Sequence, residues 1–246
     1  MVHRSTGPRR NHRAVDLCDG GRAMSRLATV RSARPVDAAS VDHLDASADD
    51  LESVRQALTW AAEFLGSPHP GLGRKGPVCP FIRHSFHQHL LYVTCRPEED
   101  CASPDLRTAV RSVMDWFGPF QEQAPHGSEH LVTILVVLPR IDRTSSEGLD
   151  ALQASLKDEL VLQGLMIGQF HPTCQAPGLW DPEFRPLQSP VPLLAVREMV
   201  PSDLPFLAGS ALHASTYFER YARSIPAHTR QFLVERLVAG GGPRPC

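Results

Sequence analysis

Apolar residues recur along this chain with two different periods. After Asp49-Asp50, the positions Leu51, Val54, Leu58, Ala61 and Leu65 fall three or four residues apart and stop at Gly66, which predicts an amphipathic helix packed on a sheet. Leu106, Val110, Val113 and Phe117 repeat that spacing behind Ser103-Pro104, a cap followed by a proline at the first helical position, with Gly118 as the stop. Leu149, Leu152, Leu156 and Leu160 repeat it again, from the capping-box spacing of Thr144 and Glu147 up to Gly164. Further helical segments are expected around 203–212, 214–224 and 226–238. Between the helices lie runs that read as strands. Residues 85–95 alternate as Ser-Phe-His-Gln-His-Leu-Leu-Tyr-Val-Thr-Cys, and His130 to Pro139 enclose a β-branched and leucine run that fits a central strand buried on both faces. Leu165 to Phe170 run directly into His171-Pro172, and Pro192 to Arg197 form the last strand.

This order of helices and strands implies an α+β fold, a mixed sheet of about four strands covered on one face by helices in a ferredoxin-like sandwich. The step from strand 165–170 through a loop to strand 192–197 argues against a doubly wound parallel sheet. The expected organisation is a disordered basic tail over 1–48, a single α+β domain over 49–225, and a C-terminal helix with a flexible tail over 226–246.

With 246 residues, 42% hydrophobic and 21% charged, the chain is long enough to bury a substantial core and ordinary enough in composition to be a soluble globular protein. The formal charge of -2 conceals an asymmetry, because residues 1–36 hold eight arginines against Asp16 and Asp19, leaving the remainder at -8. An acidic body excludes nucleic acid as a partner on charge. No run of 18 apolar residues occurs, and Arg9-Arg10 is not followed by the apolar stretch of a secretory signal, so a cytoplasmic protein with no membrane partner is expected. Six cysteines, Cys18, Cys79, Cys95, Cys101, Cys174 and Cys246, show no CxxC spacing and read as free thiols.

The chemistry-bearing residues concentrate in two loops. His171 ends an apolar strand and is followed by Pro172, which stiffens the turn presenting the imidazole; such a ring can ligate haem iron or zinc, serve as a base, or simply satisfy a loop carbonyl. Cys79, held by Pro80, is a candidate pocket thiol or a buried packing residue. Arg74 and Arg185 can offer guanidinium forks to a carboxylate. On a strand, His87 and His89 share a face with Cys95, which offers a weaker zinc reading, with His84 close by. No Gly-x-Ser-x-Gly elbow, Walker loop or Gly-x-Gly-x-x-Gly turn is present; Gly71 to Gly76 is glycine-rich but opens no helix, so nucleotide binding is disfavoured.

Four motifs carry a resemblance: His-Pro-x-Leu-Gly-Arg-x-Gly-Pro-Val-Cys-Pro-Phe at 69–81, Leu-Met-Ile-Gly-Gln-Phe-His-Pro at 165–172, Gly-Leu-Trp-Asp-Pro-Glu-Phe-Arg-Pro-Leu at 178–187, and the Pro-Val-Pro-Leu-Leu-Ala-Val-Arg-Glu-Met-Val-Pro-Ser-Asp-Leu-Pro-Phe-Leu run at 190–207. Together they resemble a bacterial domain family of unknown function that often stands beside biosynthetic genes. More distantly, the layout is similar to the YqcI/YcgG haem-protein family, with its Cys-x-Phe step, a strand running into His-Pro, and a Tyr-rich helix comparable to Tyr217-Phe218-Glu219-Arg220-Tyr221. That resemblance implies a haem cofactor with His171 as axial ligand and Cys79 as a pocket residue, and an oxygenase acting on an amine or guanidine nitrogen. The Gly-Leu-Trp-Asp-Pro segment after His171 departs from that layout.

The expected function is therefore a haem-binding oxidoreductase of specialised biosynthesis taking a small-molecule substrate, with Arg74 and Arg185 contacting a propionate or substrate carboxylate. The alternative is a non-catalytic accessory or interaction protein whose Pro-rich loops dock a homodimer mate or a pathway enzyme.

Overall fold

The computed structural model describes residues 35–145 and 147–223. The expected helix at 226–238 and most of the basic N-terminal segment lie outside those residues. Five strands form one mixed sheet in the order β1-β2-β3-β5-β4: β1 Val36–Asp37, β2 Leu91–Cys95, β3 Thr133–Val137, β4 Leu165–Phe170 and β5 Leu193–Glu198. The registers place Val36 opposite Val93 (antiparallel), Val93 opposite Leu135 (parallel), Leu135 opposite Ala195 and Ala195 opposite Gly168 (both antiparallel). This is the expected α+β class, with one strand more than the four anticipated. The addition is β1, which lies inside the stretch assigned by composition to the basic tail and leads into a 3₁₀ helix, Ala38–His43.

Helices cover both faces of the sheet, not the single face expected. Period-two alternation divides the strand residues. Ile134, Val136, Ile167, Leu194 and Val196 meet one group of helices, α3 Pro104–Ser112, α4 Met114–Gln123 and α5 Glu147–Leu162, through Leu106, Val110, Phe117, Phe120, Leu152 and Leu156. Leu91, Val93, Leu135, Val137 and Leu193 turn the other way, onto Val54, Ala57, Leu58 and Ala61 of α1 Ala48–Trp60 and its extension. β3 is buried at all five positions because it is central and covered twice, which is what its unbroken apolar run requires.

α1 is opened by Ser47, whose hydroxyl accepts from the Asp50 amide at 3.2 Å. Beyond Trp60 it widens into a π-helical turn, Ala61–Leu65, closed where the Gly66 amide donates to the Ala61 carbonyl at 3.2 Å. The strand expected at 85–95 is shorter. Ile82–His87 form a helical turn, α2, because Ser85 is fully buried and its hydroxyl donates to the carbonyls of Leu131 (2.7 Å) and Phe81 (3.2 Å). The chain then reverses at His89, in the left-handed region at φ 57°, before β2 begins. The helix expected to stop at Gly118 breaks earlier, at Val113, and α4 continues through Gly118 and Pro119 with Phe117 and Phe120 buried. After β5 come a short turn of helix, α6 Leu204–Leu207, and α7 Ala211–Tyr221, which close a third cluster of Val161, Met166, Met199, Leu207 and Tyr217.

Candidate functional site

β2, β3 and β4 run in one direction, so their carboxyl ends meet at one edge of the sheet beside the amino ends of α1 and α5, the place where α/β sheets commonly build sites. Charged and reactive side chains gather there, and two pairs are closed by hydrogen bonds. Asp50 is buried and receives both Nε (3.2 Å) and Nη2 (2.8 Å) of Arg140, and that guanidinium holds its carboxyl below the usual carboxylate range. Arg96 donates to both carboxylate oxygens of Glu98 at 3.3 and 2.5 Å. Burial pushes the Cys95 thiol up to about 12, and burial likewise raises Cys101 and Cys174, so none of the three is a ready thiolate. An open depression of about 390 Å³ at this edge is lined by Ser47, Asp49, Ser53, Glu99 and Arg140.

His171 lies at the same edge, buried at the end of β4. Its Nε2 sits 3.2 Å from Asp150 Oδ1 in the first turn of α5, and its Nδ1 sits 3.3 Å from the Thr173 hydroxyl. Both ring nitrogens are thus engaged, and an iron or zinc ion would reach neither without displacing a partner; the ring as placed does not fit an axial ligand. Its backbone amide donates to Leu187, while its carbonyl accepts from Cys174 and Ser189. His171 is therefore the post around which residues 172–191 fold.

The other residues singled out by sequence do not converge on a cofactor cavity. Arg74 donates to the carbonyls of Lys75 (3.2 Å) and Val78 (3.1 Å), and Arg185 to those of Pro182 and Phe184, so each guanidinium closes its own loop instead of meeting a carboxylate. Cys79 is half-buried against the α1 side of the core, its amide donating to Leu65 at 2.8 Å. His87 ends α2 and His89 occupies the turn, so the shared strand face required for zinc does not exist; among the described residues no three His, Cys, Asp or Glu side chains form a metal-binding group.

What the structure does bring together is the two loops themselves. The His69 ring accepts from the Gly71 amide through Nδ1 at 3.1 Å, which leaves the neutral ring's proton on Nε2. It stacks on Phe184 with centroids 4.1 Å apart and planes 12° from parallel. A Cβ on Gly71 would come within 2.8 Å of Phe184, and one on Gly73, at φ +62°, within 2.8 Å of the Trp180 Cβ. The second loop is tied internally: the Gly178 amide donates to Phe184 at 2.8 Å, Phe184 to Asp181 at 3.3 Å, and Glu183 to the Asp181 side chain at 2.9 Å. Leu179 and Trp180 project from its tip, 55% and 73% exposed.

Beside this tip runs a row of rings. Phe184 lies 6.3 Å from Phe64, Phe64 stacks on Trp60 at 5.9 Å, and Trp60 meets Phe170 edge-on at 5.6 Å. Trp60, Phe64 and Pro190 line an open depression of about 470 Å³ rimmed by Glu52, Arg55, Gln56, Thr59 and Glu63. Sequence reading passed over Trp60 and Phe64 because they lie beside the apolar stripe of α1, half-buried against the edge of the core, yet their i, i+4 spacing was the available signal.

The fold and these loops define an α+β domain with an exposed aromatic side chain on one loop tip. The family model "Domain of unknown function (DUF6875)" matches residues 54–232, and the chain belongs to that family. Neither a curated protein nor a solved structure matches it. Among the described residues, no helix is long and apolar enough to cross a membrane.

Proposed function

We propose that this domain is a protein-recognition module whose loops 67–80 and 172–191 present Leu179 and Trp180 to a partner chain. The observation that carries the reading is a tryptophan 73% exposed on a loop whose backbone is already ordered by hydrogen bonds and by close packing on Gly73. Large apolar side chains on stiff loops lose little freedom on binding, and tryptophan is the residue type most enriched among interface hot spots. Covering such an indole contributes about 1.5–3 kcal/mol. Haem-dependent oxidation, the reading carried by the similarity to the YqcI/YcgG family, draws no support from His171, whose ring nitrogens are both engaged.

The test is a photo-crosslinking amino acid, benzoylphenylalanine, introduced at position 180 in the native host. A discrete covalent protein adduct is expected, absent when the same group replaces the exposed Glu122 on α4. No adduct from position 180 would remove the proposal.

A further inference from the structure

Away from the loop tip, the large apolar side chains left exposed border one seam between two helices. α5 and α7 lie side by side and run in the same direction: Asp158 Oδ1 stands 2.7 Å from His213 Nε2, Val161 and Tyr217 share a buried cluster a turn further on, and Gly164, just past α5, abuts the Arg220 guanidinium. Leu162 follows Asp158 by one turn on the same face of α5 and is 59% exposed. Leu212 immediately precedes His213 on α7 and is 41% exposed. The Phe206 carbonyl accepts from Lys157 Nζ at 3.2 Å, next to Asp158, and that phenylalanine is 50% exposed. Single apolar residues scattered over a surface are ordinary, but a row along one interhelical seam is a surface that something covers.

The chain leaves α7 at one end of this seam, and the family match runs on past Arg223, the last described residue, to residue 232, so the domain does not stop at α7. In the sequence that follows, Leu233 and Leu237, and beside them Val234 and Val238, recur four apart among Arg230, Gln231, Glu235 and Arg236, the pattern of an amphipathic helix. Ala222-Arg223-Ser224-Ile225 is a link of the short kind that joins antiparallel helices, and Pro226 suits the first turn of the next one. Counted back from Pro226 at about 1.5 Å per residue, Leu233 and Leu237 come level with Leu162 and Leu212 to within about a turn. We infer that residues 226–238 form a helix that folds back antiparallel to α7 and closes the α5–α7 seam, laying Leu233 and Leu237 on Leu162, Leu212 and Phe206. That closure leaves Leu179 and Trp180 as the large apolar side chains still exposed among the described residues, which concentrates recognition at the loop tip.

Hydrogen–deuterium exchange of the full chain, read by mass spectrometry, tests this. A helix of this length is marginal alone in water, so protection of its amides reports docking. In the wild type, residues 226–238 are expected to exchange at least about tenfold more slowly than in the urea-unfolded chain, at a rate independent of protein concentration. The double variant Leu162→Asp with Leu212→Asp changes two exposed side chains and should strip that protection while β3, Thr133–Val137, keeps its own, which separates loss of the contact from loss of the fold. Leu162→Ser alone, a milder change, should speed exchange of 226–238 in the same direction. Unprotected 226–238 in the wild type, protection that survives both sets of substitutions, or protection that arises only as concentration rises overturns the inference; the last of these would assign the seam to a second copy of the chain.

Discussion

His171 Nε2 lies 3.2 Å from Asp150 Oδ1, joining the end of β4 to the first turn of α5, while the other ring nitrogen meets Thr173. The imidazole therefore ties a strand, a helix and a loop together, and its role follows from that position.

Removing the ring should cost stability and leave haem affinity untouched. His171→Ala is expected to lower unfolding free energy by about 2–3 kcal/mol in urea titration, from lost packing and broken buried hydrogen bonds. Haem titrated into the wild type should give no stoichiometric Soret band that depends on His171. A band abolished by the substitution would restore the haem reading and require the Asp150 or Thr173 contact to open.

The Asp50–Arg140 pair makes stability depend on acid in a defined direction. The Asp50 carboxyl is lowered from its ordinary 3.8, chiefly by the hydrogen bonds from Arg140. Its contribution is thus fully present above the ordinary value and fades as pH falls through the lower folded value. Asp50→Asn should cost about 1–3 kcal/mol at neutral pH, and its difference from wild type should begin to shrink below about pH 4 and go on shrinking with further acid in chemical denaturation series.

Thiol chemistry at Cys95 should be slow in the folded protein. With Cys95 pushed up to about 12, only about one molecule in ten thousand carries its thiolate at pH 8. Iodoacetamide followed by peptide mass mapping should label Cys95 far more slowly in the folded than in the urea-unfolded chain; rapid native labelling would contradict the burial of this thiol.

Gly73 has a backbone that other residues adopt at a cost and no room for a side chain. At φ +62°, a Cβ would stand 2.8 Å from that of Trp180. Gly73→Ala is expected to destabilise the domain by about 1–3 kcal/mol and to shift the tryptophan emission as the tip moves. Unchanged emission and stability would mean that the loop yields to a side chain at this position.

Much of the domain was legible from local pattern. The apolar stripe of Val54, Leu58, Ala61 and Leu65 marked α1, and the unbroken run before Pro139 marked a doubly covered strand, because three-to-four and every-position spacing report directly which faces are buried. The alternation through His87 and His89 misled for the same reason: a short helix and a left-handed turn happened to mimic a period of two, and the buried bond that ties Ser85 to the distant Leu131 carbonyl leaves no trace in local spacing. Gly118 misled as well: unlike Gly164, which ends its helix at a positive φ, it stays inside α4, and the helix carries on to bury Phe120.

The candidate site divides along the same line. The sequence by itself determined the α+β class, the two Gly- and Pro-rich loops, and a histidine at a strand end. Tertiary structure alone decided that β5 inserts between β3 and β4, that residue 69 stacks on residue 184, and that both nitrogens of His171 are occupied. Periodicity encodes contacts within a turn or along a strand, whereas these contacts join segments far apart in the chain and exist only once the strand order has brought their loops to the same side of the sheet.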